Sequence, residues 1–558
     1  MNASRTAIDG PLHIGAVKTN IGHSGAASGL SALIKAILVV ERGIIQPTRG
    51  VTDSNPKIDW NSWRVHIPTE PIPFPKHLPV RRISVNSFGY GGTNAHIIVE
   101  SPESLLAYPQ SYRYTAHVSR PKSRFARGAA NRNRPYLLTF SAHDVATLKR
   151  NIAAHGQVAA NYNILDLSYT LANRRTHFQS RGMVATSPDT LHEALANGHA
   201  KVVITDKNDM SLNLVRKLDM ALEELDDAPD WTLEEALLEE PAVSRVNETE
   251  FSQPLCTAVQ IALVQLLRLW NIKPSVTLGH SSGEIAAAFA AGYLSESEAI
   301  VLAYLRGQVV KDIDTDGAMM AVGYGAEAIT PYISKYTGKV VIACHNSPSS
   351  VTLSGNASDL MAIEKILIKE GIFARLLKTN GKAYHSFQML PAVEKYEALI
   401  RQARLGGLKQ PKIEKAKMVS SVTNAILAKD EVLDAAYWSA NLLNPVLFNQ
   451  ATQTALAHKD LPSIDILIEI GPHSALAGPV RQIKTELNLD KLQYLPTLVR
   501  GADCASQMLT LAGHLSLRNY PLNLERVTAI EETYPRGKVL PRNGNLIVDL
   551  PPYQWDNT

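Results

Sequence analysis

The chain has 558 residues, 45% of them hydrophobic, with 56 basic and 52 acidic residues that leave a net charge of +4 at pH 7. This length predicts about three or four domains, and the balanced charge argues against a nucleic-acid or anionic-membrane surface. The three cysteines form no CxxC pair, no metal site is indicated, and no apolar run reaches the ~18 residues of a membrane span. We therefore expect a cytoplasmic protein with reduced thiols.

The first hundred residues predict a small α/β unit. HIGAV predicts a short strand, and a segment of helical periodicity follows and ends at Gly43, a residue that suits a helix C-cap. Five apolar residues carry that periodicity: Leu30, Leu33, Ile34, Ile37 and Leu38. The segment RRISVNSFGYGGTNAHIIVE then predicts a strand, a glycine-rich turn and a second strand, so that the unit ends near Glu100.

The next hundred residues predict a connection with a small ordered part. Residues 101–134 are polar, basic and without periodicity, as in an exposed linker. Residues 135–200 mix strand and helix signals. We therefore expect an α+β linker domain here.

The second half of the chain carries the strongest periodic signal. A long apolar helix is predicted from about residue 251, and SVTLGHSSGEIAAAFAAG then passes from strand through a tight turn to an alanine-rich helix. Residues 381–500 continue this domain, and the proline-punctuated tail of residues 521–558 predicts another connector.

Residues 317–380 interrupt that domain with the element order β-α-β-β-α-β, which is the order of a ferredoxin-like unit. The second helix of this unit is predicted to start at a Ser358 cap and to stop at Gly371. Three apolar residues share one of its faces: Leu360, Ile363 and Leu367. We expect a small subdomain inserted in the larger domain.

The segment GHSSG at residues 279–283 fits a nucleophile elbow, in which glycines tolerate a crowded turn that raises Ser281 at the start of a helix. The backbone N–H of Ser282 and the positive end of the helix dipole then face a reacting carbonyl and can stabilise its oxyanion. A chance GxSxG in a turn is the plain alternative. The strand before the motif and the helix after it favour the elbow.

Two further side chains are candidates for the same site. His385, in KAYHS, follows the inserted subdomain and can act as the base that a serine nucleophile needs, but spacing alone does not select it among 17 histidines. Arg306, in AYLRG, lies near the end of a second apolar helix and offers a planar fork of donors for a carboxylate. A solvated charge at a helix end is its plain alternative.

Several ordered motifs together resemble the acyltransferase domain of type I polyketide synthases. They are GHSSGEIAAAFAAGYLS, AYLRG, AYHS, YWSANLLNPVLF and EIGPHSALAGP, and they run across residues 251–500. The resemblance implies that Ser281 takes an acyl group from coenzyme A and that His385 acts as base and acid. It also implies that Arg306 pairs with the free carboxylate of a malonyl unit. The resemblance, rather than the spacing, selects His385.

The same resemblance implies further substrate-binding residues. Gln253, in SQPLCTAVQ, and His473, in GPHSAL, would line or orient the pocket, with Ser282 beside the nucleophile. AYHS resembles the malonyl-using members, which implies malonyl-CoA as the substrate. No bound cofactor is implied, because a carrier protein supplies the phosphopantetheine arm from elsewhere.

The N-terminal unit resembles the last part of a ketosynthase, because VKTNIGHSGAASG and NSFGYGGTNAH are signatures of that domain. Lys18 and His23 match its second catalytic segment. DLSYTLANRRTHF is similar to the linker between ketosynthase and acyltransferase, and VDLPPYQWDNT is similar to the stretch that leads into a dehydratase. This order is that of iterative, highly reducing fungal synthases.

The resemblance implies an α/β fold class. An α/β-hydrolase-like acyltransferase core carries the ferredoxin-like subdomain and is preceded by a thiolase-like ketosynthase remnant and an α+β linker domain. The predicted boundaries are 1–101 for the ketosynthase part, 102–200 for the linker, 201–500 for the acyltransferase with 316–380 as its subdomain, and 501–558 for the post-acyltransferase linker. The implied partners are malonyl-CoA, an acyl carrier protein, the remaining synthase domains and a second copy bound through the ketosynthase part.

The sequence departs from the family pattern at two places. The ketosynthase cysteine and first histidine would lie upstream of this chain, so condensation is not expected and His23 is a remnant. KVVITDKNDMSLNLVRKLDM passes straight to a helix, without the GQGAQW-type loop whose glutamine assists the oxyanion hole, and we expect a core strand to be missing with it. Losing such a donor costs about 100- to 1000-fold in rate, and losing an internal strand threatens folding.

Two other functions remain open from the sequence. An esterase of the α/β-hydrolase type would share the elbow, but it should have an acid between serine and histidine and no need for Arg306. A non-catalytic chain, whose parts fold only within a complete synthase, is the third hypothesis. The inserted ferredoxin-like pattern argues against the esterase, whereas the two departures favour the non-catalytic chain.

Overall fold

The computed structural model of the chain describes residues 10–78, 80–89, 91–101, 114–115, 134–196, 212–403, 416–533 and 539–554. Most of the predicted connection at 101–134 lies outside the described residues, as does the segment 197–211. The chain divides into two units, Met1–Arg113 and Tyr114–Thr558.

The first unit contains short strands around one long helix. Its described elements are β1 (Leu12–His13), α1 (Lys18–Ile21), α2 (Ser28–Arg42), β2 (Ile44–Ile45), β3 (Val65–His66), β4 (Ile72–Pro73), β5 (Arg82–Phe88) and β6 (Asn94–Glu100). The predicted helix and the predicted strand pair both form. α2 stops at Gly43, whose φ is 66° and whose amide donates to the Val39 carbonyl, and β5 pairs antiparallel with β6.

Burial in this unit differs from what the periodicity of α2 suggests. Ala36, Val39 and Val40 are the buried residues of α2. Four of the five apolar residues that predicted the helix are exposed: Leu30, Ile34, Ile37 and Leu38. The spacing of apolar residues therefore predicted the helix correctly, while the described residues of this unit leave most of its apolar face uncovered.

The second unit begins with an α+β layer. Its elements are β7 (Tyr114–Thr115), β8 (Tyr136–Ala142), α3 (Val145–Val158), α4 (Ile164–Asn173), β9 (Ser180–Thr186) and α5 (Leu191–Ala196). β8 and β9 pair antiparallel along their whole length. Asp144 begins α3, because its side chain accepts a hydrogen bond from the Thr147 amide. The mixed strand and helix signals of residues 135–200 correspond to these elements.

Helices then surround the start of a parallel sheet. The elements are α6 (Leu212–Glu223), α7 (Leu233–Leu238), α8 (Thr249–Leu269), β10 (Val276–Thr277), α9 (Gly283–Ala291) and α10 (Glu296–Lys311). α8 and α10 pack closely because Gly307 has no side chain: a Cβ there would lie 2.9 Å from the Thr249 carbonyl oxygen. Among the described residues, no helix is both long and apolar enough to cross a membrane.

The ferredoxin-like insertion is a complete antiparallel sheet with two helices. Its elements are β11 (Gly317–Val322), α11 (Ala326–Ile333), β12 (Val340–Ser347), β13 (Ser350–Asn356), α12 (Ala357–Lys369) and β14 (Ala374–Leu376), and the sheet order is β12-β13-β11-β14. Leu360, Ile363 and Leu367 are fully buried, as the pattern of α12 predicts. The predicted cap is wrong, because Asn356 rather than Ser358 occupies the N-cap position.

The main domain resumes after the insertion with α13 (Leu390–Gln402), β15 (Lys417–Met418), α14 (Ala435–Leu443), α15 (Phe448–Ala457), β16 (Ile466–Glu469), α16 (Ala477–Glu486) and β17 (Gln493–Pro496). The four strands that the structure describes in this domain form two separate parallel pairs, β10 with β15 and β16 with β17. Every residue of β10 and of β16 is only half-buried, although strands of a parallel sheet are normally covered on both faces. Each of these two strands also has a partner strand along one edge only, within the described residues.

The tail is more ordered than a connector. Its described elements are α17 (Cys504–Leu517), α18 (Leu524–Thr528), β18 (Ile530–Thr533), β19 (Val539–Arg542) and β20 (Leu546–Ile547). β20 pairs with β7, the Ile547 amide donates to the Thr170 hydroxyl at 3.0 Å, and the Tyr162 hydroxyl donates to the Asp549 carbonyl at 3.0 Å. The tail thus folds back onto the α+β layer at the start of its own unit.

Candidate active site

Ser281 lies in the turn between β10 and α9 with a φ of 54°, in the left-handed region that residues other than glycine rarely adopt. Gly279 makes this turn possible, because a Cβ there would lie 2.3 Å from both the Cα and the amide nitrogen of Glu284. A Cβ at Gly283 would approach only Nε2 of Gln260, at 3.8 Å. The turn is a strained elbow, and only the first glycine of its motif is required by sterics.

The hydroxyl of Ser281 is hydrogen-bonded to His385, with 2.7 Å between Oγ and Nε2. On the other side of the ring, Nδ1 lies 3.0 Å from the backbone carbonyl oxygen of Asn444. Since a carbonyl oxygen can only accept, Nδ1 carries the ring proton and Nε2 is free to receive the proton of the serine. The pair has the geometry of an activated nucleophile whose base is oriented by a carbonyl instead of a carboxylate.

The surroundings of His385 keep its imidazole neutral. Its side chain is 2% exposed. Burial lowers its pKa to about 3, and the electrostatic interactions with Arg306 and His280 act in the same direction. A neutral imidazole is the form that can accept the Ser281 proton, so the base is ready at any ordinary pH.

Arg306 lies inside the domain with 1% of its surface exposed, although it occupies the second-last turn of α10. Burial lowers the pKa of its guanidinium below the usual value, but an arginine stays charged in proteins. Nη1 donates to Oδ1 of Asn441 at 2.9 Å. The alternative of a solvated helix-end charge is therefore wrong.

The remaining donors of Arg306 are unoccupied. Nε and Nη2 are buried and have no hydrogen-bond partner among the described residues. These two nitrogens form one side of the planar guanidinium, which is the side that binds a carboxylate through two parallel hydrogen bonds. A buried charge without a counter-ion is costly, so the arrangement suits a ligand that brings its own negative charge.

The elbow also offers a backbone donor beside the nucleophile. The amides of Gly283 and Glu284 donate to the carbonyl oxygens of His280 and Ser281 at 2.9 and 3.1 Å. The Ser282 amide has no acceptor among the described residues, and it lies at the N-terminal end of α9. This combination of an unused N–H group and a helix dipole can stabilise an oxyanion on a group bound to Ser281.

A cavity of about 170 Å³ adjoins the serine and histidine. Its lining residues are Gln253, His280, Ser281, Met319, Cys344, Thr352, Leu377, Tyr384 and His385. Three of them come from strands of the ferredoxin-like insertion, which therefore forms one wall of the site. Burial raises the pKa of the Cys344 thiol to about 12, so that this cysteine is not a second nucleophile.

Comparison with known proteins identifies the domain that carries this site. The family model described as "Acyl transferase domain" matches residues 204–519, which is more than half of the chain. The chain belongs to this acyl transferase family. Upstream of the acyltransferase, residues 2–52 match the "Beta-ketoacyl synthase, C-terminal domain" and residues 54–185 match the "Ketoacyl-synthetase C-terminal extension".

Curated relatives of this acyltransferase chain are reducing polyketide synthases of fungi. It is 64% identical over 586 residues to "Reducing polyketide synthase DEP5" of Alternaria brassicicola, an alignment that covers 100% of this chain and 25% of the relative. It is 41% identical to "Reducing polyketide synthase BOA9" of Botryotinia fuckeliana, over 98% of this chain and 26% of the relative. The resemblance predicted from the motifs is confirmed, and the chain spans about a quarter of the length of these relatives.

The length of the alignment to the Alternaria protein is relevant to the loop that the sequence is predicted to lack. It extends over 586 positions, and this chain has 558 residues. At least 28 of those positions therefore face a gap in this chain. A gap of this total size is compatible with the missing loop predicted after KVVIT.

A solved structure supports the fold. The acyltransferase domain from module 8 of the salinomycin polyketide synthase superposes with a TM-score of 0.59 at 23% identity, over 70% of this chain and 98% of that domain. Together with the family matches, it confirms the predicted fold class.

The other residues predicted for the acyltransferase site lie in different surroundings. Gln253 lines the cavity, and its Oε1 is buried without a hydrogen-bond partner among the described residues. His473 is not among the lining residues, and its Nδ1 accepts a hydrogen bond from the Arg500 amide at 3.1 Å. The substrate-binding roles of both stay predictions.

The two residues of the ketosynthase part belong to the first unit. Lys18 starts α1 and is exposed. His23 is also exposed, and its Nδ1 accepts a hydrogen bond from the Gly25 amide at 3.0 Å. Their role as a catalytic remnant stays a prediction.

Sequence reasoning missed three residues that shape the acyltransferase site. Asn444 orients His385 and Asn441 contacts Arg306, as described above. Glu284 is fully buried one turn after the nucleophile, where its carboxylate accepts from the Ser421 amide at 3.0 Å and from the Tyr437 hydroxyl at 2.8 Å. Burial raises the pKa of this carboxyl group. Each of the three is a polar residue in an otherwise apolar run, either GHSSGEIAAAF or YWSANLLNPVLF. That contrast was the signal in the sequence that could have indicated them.

Proposed function

We propose that this domain moves a malonyl unit from malonyl-CoA to an acyl carrier protein through an acyl-enzyme on Ser281. The observation that carries the proposal is a pair of buried donors on Arg306 that have no partner in the described parts of the chain, in a domain whose serine is already bonded to a neutral histidine. An acyl group with its own carboxylate would satisfy both donors. A neutral acyl group would leave them unpaired, which is costly for a buried cation.

The proposed reaction has two halves with one base. His385 accepts the Ser281 proton as Oγ attacks the malonyl thioester, the oxyanion is stabilised by the Ser282 amide, and the coenzyme A thiolate leaves with the proton from His385. The thiol of the carrier's phosphopantetheine arm then attacks the serine ester and gives its proton to His385, the ester bond to Ser281 breaks, and His385 passes that proton to Oγ of Ser281. Malonyl is preferred to methylmalonyl because of the resemblance of AYHS to malonyl-using members.

We further propose the partners that the family resemblance implies. The carrier protein, the other synthase domains and a second copy bound through the ketosynthase part would complete the assembly. The product would be a polyketide of secondary metabolism.

The test is acylation with radiolabelled malonyl-CoA, compared with acetyl-CoA, followed by peptide mapping of the label. We expect label on Ser281, none on Ser281→Ala, and wild-type labelling of Ser275→Ala, which removes an exposed hydroxyl nearby in the sequence. Arg306→Ala should lose about 10- to 100-fold in malonyl labelling, the worth of a charge-assisted hydrogen bond pair. Acetyl labelling should fall far less and so report on folding. Equal label on Ser281→Ala and wild type would refute the proposal.

A catalytically silent chain is the second candidate, and the division of the parallel sheet into two pairs favours it. A cooperative thermal unfolding transition of the whole chain would count against it, since a domain without a continuous core should melt broadly. The esterase hypothesis lacks such support, because the His385 ring is oriented by the Asn444 carbonyl and not by an acid.

A further inference from the structure

Asn441 has a buried amide side chain with both ends in use. It is 3% exposed. Its Oδ1 accepts from Nη1 of Arg306 at 2.9 Å, and its Nδ2 donates to the carbonyl oxygen of Ser281 at 3.1 Å. The orientation of the amide is fixed by chemistry, because a guanidinium has only donors and a carbonyl only accepts.

The carbonyl that Asn441 contacts belongs to the same peptide unit as the Ser282 amide. Since a peptide unit is planar and trans, the direction of the Ser281 C=O bond sets the direction of the Ser282 N–H bond. The same carbonyl also accepts from the Glu284 amide at 3.1 Å. Two donors therefore hold this peptide plane, one from the following helix and one from Asn441.

The peptide needs this support because it lies next to a strained residue. Ser281 has a φ of 54°, a strained conformation that a non-glycine residue keeps only where its surroundings hold it there. Without Asn441, the Glu284 amide would be the one remaining donor to this carbonyl among the described residues. A modest rotation would then turn the Ser282 N–H group away from the oxyanion.

Asn441 itself lies on a firmly anchored helix. α14 begins at Asp434, whose side chain accepts from the Tyr437 amide, and Trp438 is 1% exposed with its ring N–H bonded to the Leu433 carbonyl at 3.0 Å. The carbonyl of Asn444, three residues after Asn441, orients His385. The C-terminal end of α14 thus orients the base and the peptide beside the nucleophile together.

We propose that Asn441 is a positioning residue that aligns the oxyanion-stabilising amide of Ser282 and joins it to Arg306. The inference rests on the proposed function, because it assigns the amide to the oxyanion of an acyl transfer. The shared contact gives a physical link between the carboxylate-binding side chain and the reacting centre. It also strengthens Nδ2 as a donor, since a hydrogen bond from a cation to Oδ1 polarises the amide.

A fluorophosphonate probe tests the inference without malonyl-CoA. Oγ of Ser281 forms a bond to phosphorus, the P–F bond breaks, fluoride leaves, and the serine proton passes to His385. The phosphoryl oxygen occupies the place of the oxyanion, and the probe has no carboxylate for Arg306. The variant is Asn441→Asp, which keeps the size and the acceptor for Arg306 but removes the N–H group. Ser439→Ala is the matched control, because its buried Oγ on α14 has no partner among the described residues.

We expect Asn441→Asp to be phosphonylated about 10- to 100-fold more slowly than the wild type, in the range of a weakened oxyanion donor. Ser439→Ala should react at the wild-type rate. With acetyl-CoA, Asn441→Asp should lower the maximal acylation rate and leave the half-saturating concentration unchanged. A merely structural role would instead move both quantities with the melting temperature.

Each outcome separates this inference from the proposed function. Equal phosphonylation of Asn441→Asp and wild type would overturn the positioning role, as would equal slowing in Ser439→Ala or an unreactive wild type. A wild type that reacts with the probe but takes no label from malonyl-CoA would overturn the malonyl proposal alone.

Discussion

The ferredoxin-like insertion and the parallel sheet around it differ in completeness. In the insertion, β13 is paired on both edges and its central residues are buried, and two helices cover the sheet. In the main domain, β10 and β16 are each paired on one edge within the described residues and are half-buried along their length. The sheet of the insertion thus has a central strand paired on both edges and buried, whereas two strands of the main sheet each have one edge without a partner strand among the described residues.

The active site combines both regions. Met319, Cys344 and Thr352 line the cavity from the insertion, while Ser281 stands directly after β10. The sheet of the insertion, whose strands are paired and buried more fully, therefore forms one wall of the cavity. The nucleophile follows a strand of the main sheet, which is paired and buried less fully. We therefore expect substitutions at the elbow to reduce the acylation rate most, and substitutions in the strands of the insertion to reduce the free energy of unfolding most.

The largest effect should come from a methyl group at the elbow. Gly279→Ala places a Cβ 2.3 Å from the backbone of Glu284, which cannot move without displacing α9. We expect a loss of Ser281 acylation on the order of 100- to 1000-fold, because a displaced nucleophile and oxyanion donor each cost about that much. The measurement is the rate of phosphonylation or acylation of purified protein.

Gly283→Ala is the matched control for that change. Its added Cβ has only Nε2 of Gln260 nearby, at 3.8 Å, and alanine suits a helix better than glycine by about 1 kcal/mol. We expect a rate within about threefold of the wild type. Equal losses in the two variants would contradict the steric assignment of the elbow to its first glycine.

A smaller effect is expected on stability, where truncating a leucine in the sheet of the insertion should destabilise the protein more than truncating one in the main sheet. Leu353 is fully buried in β13, and Leu467 is half-buried in β16. We expect Leu353→Ala to lower the free energy of unfolding by about 2–5 kcal/mol, the usual cost of truncating a buried leucine. Leu467→Ala should cost only about 1 kcal/mol, since less apolar surface is lost. Urea unfolding curves of both variants provide the comparison.

The reverse order of these two costs would mean that β16 is covered more fully than its exposure indicates. Hydrogen exchange of the two strands offers an independent reading, because amides of β13 should exchange far more slowly than those of β16.

The insertion shows how much of the fold local sequence patterns can predict. Its six elements follow from alternation and helical spacing, and the buried face of α12 was predicted residue by residue. The error at its N-cap is small in physical terms, because Asn356 and Ser358 are both good capping residues two positions apart. The parallel pairs were not predicted, since the register of strands distant in sequence leaves no local pattern.

The site residues divide in the same way, into those that one contiguous stretch of sequence can indicate and those that lie far apart in the sequence. The elbow at Ser281 could be predicted because strand, turn and helix are contiguous. His385 and Arg306 required the family resemblance, since a histidine or arginine carries no local mark of its partner. Asn441 and Asn444 act through a side-chain amide and a backbone carbonyl brought in by α14. In the sequence both stand out only as polar residues in an apolar run, and their roles become visible in the packing of that helix against the elbow.

The last prediction compares a histidine from each region. Burial lowers the pKa of His385 to about 3, helped by Arg306 and His280, and burial also lowers the pKa of the half-buried His345 on β12. A histidine in the unfolded chain titrates near 6.5. Between pH 6.5 and about 3 the unfolded chain therefore binds a proton that folded His385 does not, and stability falls as the pH falls.

This contribution of His385 amounts to about 1.4 kcal/mol per pH unit below 6.5. The measurement is the free energy of unfolding at pH 7 and pH 5 for the wild type, His385→Gln and His345→Gln. Because glutamine does not titrate, His385→Gln should lose less stability on acidification than the wild type, and His345→Gln should differ from the wild type by less. The buried imidazole at the nucleophile, more than the one on the insertion, would then limit the acid stability of the domain. Identical pH dependence in His385→Gln and the wild type would mean that this imidazole takes up its proton near 6.5, as an exposed histidine does.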